Sequence, residues 1–171
     1  MISIVAGEGR IHLYRDLLAN VRYDGKFHSV KSLVRPDDPT VREIARVLVQ
    51  SRDFIGASQA FVDSFTTYEE EVGDYWTIPS EILDARAGDC DDKAILLLSI
   101  LRNYIPADQV YCAFGIWHLD GTPTGHMYIV TEGVNGNDRI IEATLSSSNA
   151  LRPNSRNPIS VEKAYLSLNI P

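Results

Sequence analysis

Apolar residues recur at helical spacing through the middle of the chain. Positions three or four apart are apolar from Val41 to Leu48, from about Gly56 to Glu70, and from Cys90 to about Tyr104, and Ser80 starts a shorter helix. The residues 4, 7, 8 and 11 positions after Cys90 are all apolar. The cysteine therefore shares a helix face with them, and we expect its side chain to point toward the core.

The pattern changes to a period of two in the last third of the chain. Aromatic and β-branched residues predict a strand from Val110 to Leu119, and two further strands are predicted at 126–131 and 139–144. Residues 120–125 are predicted to form a turn, and the polar stretch 146–158 is predicted to be loop. Helices followed by antiparallel strands indicate an α+β fold.

Size and composition are those of one globular domain. The chain has 171 residues, of which 44% are apolar and 23% charged, and its formal net charge is −7. We expect residues 1–39 to form an N-terminal extension packed on a core made by residues 40–171. The acidic charge argues against nucleic acid or an anionic membrane as the main partner.

Two further features bear on where the protein acts. The first residues lack a basic stretch followed by a long apolar run, and no apolar run approaches the length of a membrane span. Two cysteines, Cys90 and Cys112, are too few for a disulfide framework. We therefore expect a cytoplasmic location, or association with a virion if a phage encodes the chain.

The start of the Cys90 helix is the clearest candidate for chemistry. Gly88 can turn the chain and Asp89 can cap the helix, which places Cys90 in the first helical turn. The unpaired N–H groups and positive dipole end found there favour a thiolate, the form of cysteine that attacks carbonyl carbon. Lys93 is expected to be solvated, and Cys112, in the middle of a strand, is expected to be a core residue.

A cysteine nucleophile needs a base and a group that orients the base. His126 opens one predicted strand, and Glu142 lies on the next. If residue 132 pairs with residue 138 around a five-residue loop, these two side chains are diagonal neighbours on one face of the sheet. A two-residue turn at Asn135-Gly136 would place them on opposite faces, so a shared site requires a three- or five-residue loop.

Four sequence blocks carry a family resemblance. They are Trp76-Thr77-Ile78-Pro79-Ser80-Glu81-Ile82-Leu83, Gly88-Asp89-Cys90-Asp91-Asp92-Lys93-Ala94, Gly125-His126-Met127-Tyr128-Ile129-Val130 and Ile141-Glu142-Ala143-Thr144. Together they resemble the transglutaminase-like superfamily, and more narrowly its bacterial and phage-borne cysteine peptidase-like members. The resemblance spans residues 40–145 and implies a papain-like fold, in which the Cys helix packs on an antiparallel sheet that supplies the histidine and the acid.

The resemblance also implies roles for single residues. Cys90 would be the nucleophile, His126 the general base and acid, and Glu142 the orienting acid, where the family usually has Asp. An oxyanion hole is required as well. The backbone N–H groups of Cys90 and Trp76 are the two candidate donors.

Three carboxylates surround the candidate nucleophile. Asp89, Asp91 and Asp92 carry like charge that should raise the pKa of the Cys90 thiol, unless they point away or hold a cation. Some relatives of this type are thought to bind Ca²⁺ near the corresponding acidic residues, so calcium is the candidate metal here. Catalysis itself requires no cofactor, and the cysteines and histidines show no zinc-ligand spacing.

The expected activity is acyl transfer through a thioester. The first hypothesis is a hydrolase of peptide or amide bonds with a Cys90–His126–Glu142 triad, acting on a protein or peptide substrate. The alternatives are a transamidase that joins glutamine and lysine side chains with the same residues, and a non-enzymatic assembly or binding module that keeps the fold.

Overall fold

The computed structural model describes residues 21–26, 28, 30–73, 75–119, 122–131 and 139–144. The helices of these segments are α1 (Val30–Leu33), α2 (Pro39–Leu48), α3 (Phe54–Phe65), α4 (Pro79–Ala85) and α5 (Cys90–Leu101). The strands are β1 (Thr67–Tyr68), β2 (Ala87–Gly88), β3 (Val110–Leu119), β4 (Thr122–Thr131) and β5 (Arg139–Ile141). None of the described helices is long and apolar enough to cross a membrane. The loop predicted at 146–158 lies outside the described residues.

Helix α3 differs most from its prediction. Asp53 caps its first turn by accepting a hydrogen bond from the Gly56 N–H, so the helix begins at Phe54. It ends at Phe65, five residues before the predicted end, because Thr66 adopts an extended conformation. The next two residues form β1, which pairs in parallel with β2 just before the Cys90 helix. Tyr68, which the spacing assigned to the helix, therefore belongs to a strand, and periodicity alone did not distinguish the two.

Helix α5 is the centre of the molecule. It packs against α2, α3 and α4 on one side and against β3 and β4 on the other. All of its residues are buried, which exceeds the single buried face that the sequence predicted. Lys93 is among them with no exposed surface, so the expectation that it is solvated was wrong.

Strands β3, β4 and β5 form an antiparallel sheet in that order, in agreement with the predicted α+β class. Strand β4 begins at Thr122, four residues earlier than predicted, and β5 ends at Ile141, three residues earlier. Met127 and Ile129 join the main core on the α5 side of the sheet, whereas Tyr128 and its neighbours pack on the opposite face. Helix α5 thus covers the face of the sheet that carries Met127 and Ile129.

The described residues of the predicted N-terminal extension contact this core. Val21 is fully buried, and its carbonyl oxygen accepts a hydrogen bond from the Trp76 N–H at 2.8 Å. Arg22 donates to the Trp76 carbonyl oxygen and to both carboxylate oxygens of Glu81. The boundary predicted between residues 39 and 40 stays a prediction.

Candidate active site

The N-terminal end of α5 places Cys90 in a tight setting. Asp89 caps the helix as predicted, because its carboxylate accepts the Asp91 N–H at 3.2 Å. Gly88 permits the close approach of the preceding strand, since a Cβ atom there would lie 2.8 Å from the Asp92 side chain. Cys90 follows as the first helical residue and is 9% exposed.

The sheet brings His126 and Glu142 together. The Nε2 atom of His126 lies 2.7 Å from Oε2 of Glu142, and both side chains are buried. Strand β4 pairs with β5 through Ile129–Ile141 and Thr131–Arg139, which is the register that pairs residue 132 with residue 138. A two-residue turn would shift this register by one position, so the alternative at Asn135-Gly136 was wrong. The connecting residues 132–138 lie outside the described part of the chain.

Further hydrogen bonds hold Glu142 from both ends. Its Oε1 atom accepts from the Thr144 N–H at 3.1 Å and from the Thr144 hydroxyl at 2.7 Å. Its backbone carbonyl accepts from Nε2 of Gln59, on α3, at 2.6 Å. Sequence reasoning missed both partners. Thr144 could have been found as a hydroxyl two residues after a buried acid, but nothing in the sequence links Gln59 to a residue 83 positions away.

The surroundings of Cys90 oppose its ionisation. Burial raises the pKa of the Cys90 thiol well above its ordinary range, and the charges of Asp91 and Asp89 raise it further. A hydrogen bond from the Met127 N–H, next to His126, acts in the opposite direction but is outweighed. The raised pKa agrees with the expected effect of like charge at Asp89 and Asp91, and it opposes the thiolate that the helix end was expected to favour.

The second cysteine lies in the core, as predicted. Cys112 is buried, and its thiol lies 3.9 Å from the Ala94 carbonyl oxygen on α5. Burial raises the pKa of this thiol as well. The charge of Asp91 raises it further, so Cys112 offers an internal comparison for Cys90 as a second buried thiol.

The three acidic residues near Cys90 fall into two groups. Asp89 and Asp91 each present a carboxylate oxygen within 4.8 Å of the other and of the Cys90 sulfur. Asp92 faces away and accepts hydrogen bonds from the N–H and hydroxyl of Thr77, both at 2.7 Å. Burial raises the pKa of Asp92 to about 6, and the Thr77 bonds offset part of the effect. Two carboxylates are the start of a calcium site, but Ca²⁺ takes six to eight oxygen ligands, so water or substrate would supply most of them.

The backbone of Trp76 does not offer the donor expected of it. Its N–H is hydrogen-bonded to Val21, and the same Trp76 residue accepts from Arg22 through its carbonyl. An N–H that already has a buried acceptor is not available to a developing oxyanion. The Trp76 N–H is therefore no longer a candidate oxyanion donor. The Cys90 N–H, at the start of a helix, stays a candidate.

The comparisons with known proteins give weak likenesses only. Neither a family model nor a curated protein matches the chain. Among solved structures, calcium-bound LapG of Legionella pneumophila is 19% identical, with a TM-score of 0.49, covering 78% of this chain and 82% of that one. EGTA-treated LapG is 19% identical, with a TM-score of 0.47 and coverages of 70% and 77%. A candidate cysteine protease of Cytophaga hutchinsonii is 17% identical, with a TM-score of 0.45 and coverages of 61% and 37%. Likenesses this distant assign neither a family nor an activity to the chain.

Proposed function

We propose that the protein is a thiol-dependent acyl-transfer enzyme of the transglutaminase-like type that hydrolyses peptide or amide bonds in a protein or peptide substrate. The observation that carries the proposal is the buried hydrogen bond between His126 and Glu142. His126 lies on β4, and the next residue of that strand, Met127, donates its backbone N–H to the Cys90 thiol. A base, its orienting acid and a cysteine at a helix start are the parts that such chemistry requires.

The proposal also assigns a proton to His126. In it the carboxylate of Glu142 accepts this hydrogen bond, so the imidazole carries its proton on Nε2 and presents Nδ1 as the basic nitrogen. In the proposed reaction Nδ1 takes the proton of Cys90 as the sulfur attacks the carbonyl carbon of the substrate. Glu142 stays ionised and stabilises the imidazolium that forms.

The rest of the cycle follows from that proton. The tetrahedral intermediate collapses to a thioester, and the amine leaves with the proton returned by His126. His126 then takes a proton from a water molecule, whose oxygen attacks the thioester carbonyl. The acid product leaves, and the sulfur recovers the proton. The Cys90 N–H is the proposed donor to the oxyanion in both steps.

The raised pKa of Cys90 suits this sequence of events. A thiol that is neutral at rest loses its proton only when His126 is placed to accept it, so ionisation and attack are coupled. Such a site is protected from oxidation between turnovers, because thiolates oxidise much faster than thiols.

Calcium is proposed as a ligand of Asp89 and Asp91, outside the acyl-transfer steps. The carboxylate oxygens of these two residues are the acidic ligands brought together near Cys90. A bound divalent cation would neutralise the two charges that raise the pKa of the thiol. LapG has been solved with calcium bound, but that likeness is too weak to extend to this chain.

Alkylation by iodoacetamide tests the nucleophile directly. We expect Cys90 to be labelled at least tenfold faster than Cys112 near pH 8, because the proposal assigns His126 as a base to Cys90 and assigns no base to Cys112. His126→Ala should remove that advantage, whereas His28→Ala, which changes a partly exposed histidine paired with Asp24, should not. Equal and slow labelling of both cysteines in the parent protein would favour the non-enzymatic binding module.

A second assay separates the two enzymatic alternatives. Incubation with a glutamine peptide and hydroxylamine gives a hydroxamate if the protein transfers acyl groups to amines. New amino termini on a protein substrate would identify peptide hydrolysis instead. The cytoplasmic location stays a prediction from the sequence.

A further inference from the structure

We propose that Thr144 is a positioning residue that makes glutamate, and not aspartate, the functional acid of this site. The inference rests on the proposed function, because it assigns Glu142 the task of orienting His126. It explains how a longer side chain can stand where the resembling family usually has Asp.

The carboxylate of Glu142 is bonded at both oxygens. His126 occupies Oε2 at 2.7 Å, while the Thr144 hydroxyl and N–H occupy Oε1 at 2.7 and 3.1 Å. Thr144 is fully buried and Glu142 is 9% exposed, so water competes little for these bonds. A carboxylate fixed at one oxygen cannot rotate about its last bond without losing the other partner. Thr144 therefore holds the plane of the acid that faces the imidazole.

The backbone of Glu142 is fixed as well. Gln59 donates from α3 to the Glu142 carbonyl oxygen at 2.6 Å, which ties the end of β5 to a helix outside the sheet. The distance between this fixed backbone and His126 is thus set by the fold. An aspartate at position 142 would be shorter by one carbon–carbon bond, about 1.5 Å. It could reach His126 only by giving up Thr144 or by pulling the backbone away from Gln59.

Removing the hydroxyl isolates the role of Thr144. Thr144→Val keeps the shape and the backbone N–H but leaves Oε1 with one weaker donor in a buried site. Thr144→Ser restores the hydroxyl and serves as the rescue variant. Thr131→Val is the matched control, because Thr131 lies on β4, the strand of His126, and its hydroxyl makes only a 3.4 Å contact with the Arg139 carbonyl oxygen.

The test measures two independent quantities on each variant. The first is the rate of Cys90 alkylation by iodoacetamide between pH 6 and pH 9, with Cys112 as the internal reference. The second is the nitrogen NMR signature of His126, which reports the ring nitrogen that carries the proton. We expect Thr144→Val to slow alkylation about tenfold and to mix the two tautomers, as loss of a hydrogen bond to a charged group should. Thr144→Ser and Thr131→Val should match the parent protein, and Glu142→Asp should be at least as slow as Thr144→Val.

The outcomes separate this inference from the proposed function. If Glu142→Asp matches or exceeds the parent, or if Thr144→Val changes neither the rate nor the tautomer, the inference is overturned while the triad stands. If the parent itself labels Cys90 no faster than Cys112, the proposed function fails. The NMR signature would then still decide whether Thr144 positions the acid that holds His126. A loss of rate in Thr144→Val that Thr144→Ser does not rescue would indicate a packing effect and would also overturn the inference.

Discussion

The two halves of the candidate site, the sheet with His126 and Glu142 and the start of α5 with Cys90, differ in how their buried polar groups are stabilised. On the sheet side, Glu142 is hydrogen-bonded to His126 through one carboxylate oxygen and to Thr144 through the other. At the start of α5, burial and two neighbouring carboxylates raise the pKa of Cys90. The proposed base and its acid are thus hydrogen-bonded to each other, while burial and nearby charge oppose ionisation of the proposed nucleophile.

This difference indicates which part of the site carries the larger free-energy cost of buried charge. A hydrogen-bonded ion in a fixed network needs little rearrangement during a reaction. This property favours His126, bonded to Glu142, as the base. At the start of α5, the cost of burying charged groups is only partly offset by their hydrogen bonds. Each such group either raises the pKa of the Cys90 thiol or lowers the stability of the fold. Substitutions of the polar residues at the start of α5 should therefore change both the stability of the fold and the ionisation of the Cys90 thiol.

The largest effect should come from Lys93, the buried cation of the first turns of α5. Its Nζ atom donates to the Thr66 carbonyl oxygen at 3.3 Å and lies 3.8 Å from the Asp63 carboxylate. Lys93→Ala removes the buried aliphatic chain and leaves Asp63 without this cation. We expect the free energy of unfolding to fall by about 3–5 kcal/mol in urea titrations, as for other broken buried pairs.

Two variants control this measurement. Lys93→Met keeps most of the packing and should lose less stability than Lys93→Ala, because only the charge is removed. Lys26→Ala changes an exposed lysine and should leave unfolding within about 0.5 kcal/mol of the parent. A loss below about 1 kcal/mol for Lys93→Ala would mean that buried charge at the start of α5 carries no large free-energy cost. The two parts of the site would then not differ in this respect.

Asp92 offers the next largest effect, and its sign depends on pH. The pKa of Asp92 is raised from 3.8 to about 6, chiefly by burial, so the folded state binds the proton more tightly than the unfolded chain. Its contribution to stability is therefore greatest at low pH and is lost as pH rises through about 6. At pH 8 the cost of the buried charge is about 3 kcal/mol, and at pH 5 it is about half of that.

Asp92→Asn removes the charge but keeps an oxygen for the two Thr77 bonds. We expect it to unfold at higher urea concentration than the parent at pH 8, with a smaller advantage at pH 5. An advantage that is equal at both pH values would contradict the assignment of the cost to ionisation. Asp84→Asn, at an exposed position on α4, provides the control for general charge effects.

The parts of this picture that the sequence predicted are the local ones. The capping of α5 by Asp89 and the pairing of β4 with β5 follow from short-range chemistry and side-chain alternation, and both were predicted correctly. The burial of Lys93 could not be predicted in this way, because it depends on α3 packing over α5. The same holds for Gln59, whose bond to Glu142 links segments far apart in the chain.

Two expectations at the site were opposed by the same physical cause. The helix end was expected to favour a thiolate at Cys90, but burial by the packed fold raises the pKa of the thiol. The Trp76 N–H was expected to serve an oxyanion, but Val21 comes from an earlier segment and takes that hydrogen bond. In both cases a local preference was overridden by tertiary contacts that no motif records.

The smallest predicted effect tests the electrostatic half of the comparison at Cys90 itself. Asp91 is the largest charge effect on the thiol, after burial, and it is itself buried. Asp91→Asn keeps the side-chain shape, so the thiol should ionise more readily. We expect alkylation of Cys90 at pH 8 in the presence of EGTA to be about three- to tenfold faster, which corresponds to about one pKa unit or less. Cys112 should change less, because burial dominates its pKa and Asp91 is a secondary cause.

Calcium provides a second arm of the same experiment. If Asp89 and Asp91 bind Ca²⁺, added calcium should speed alkylation of Cys90 in the parent protein, because the cation offsets the same negative charge. It should have little effect in Asp91→Asn, which has lost one of the two carboxylates. If calcium leaves the parent unchanged and Asp91→Asn is still faster, the charge of Asp91 raises the pKa of Cys90. The same result would exclude calcium as a ligand of Asp89 and Asp91. No change in Asp91→Asn would instead mean that burial alone keeps the thiol neutral, and that the two halves differ in solvation rather than in charge.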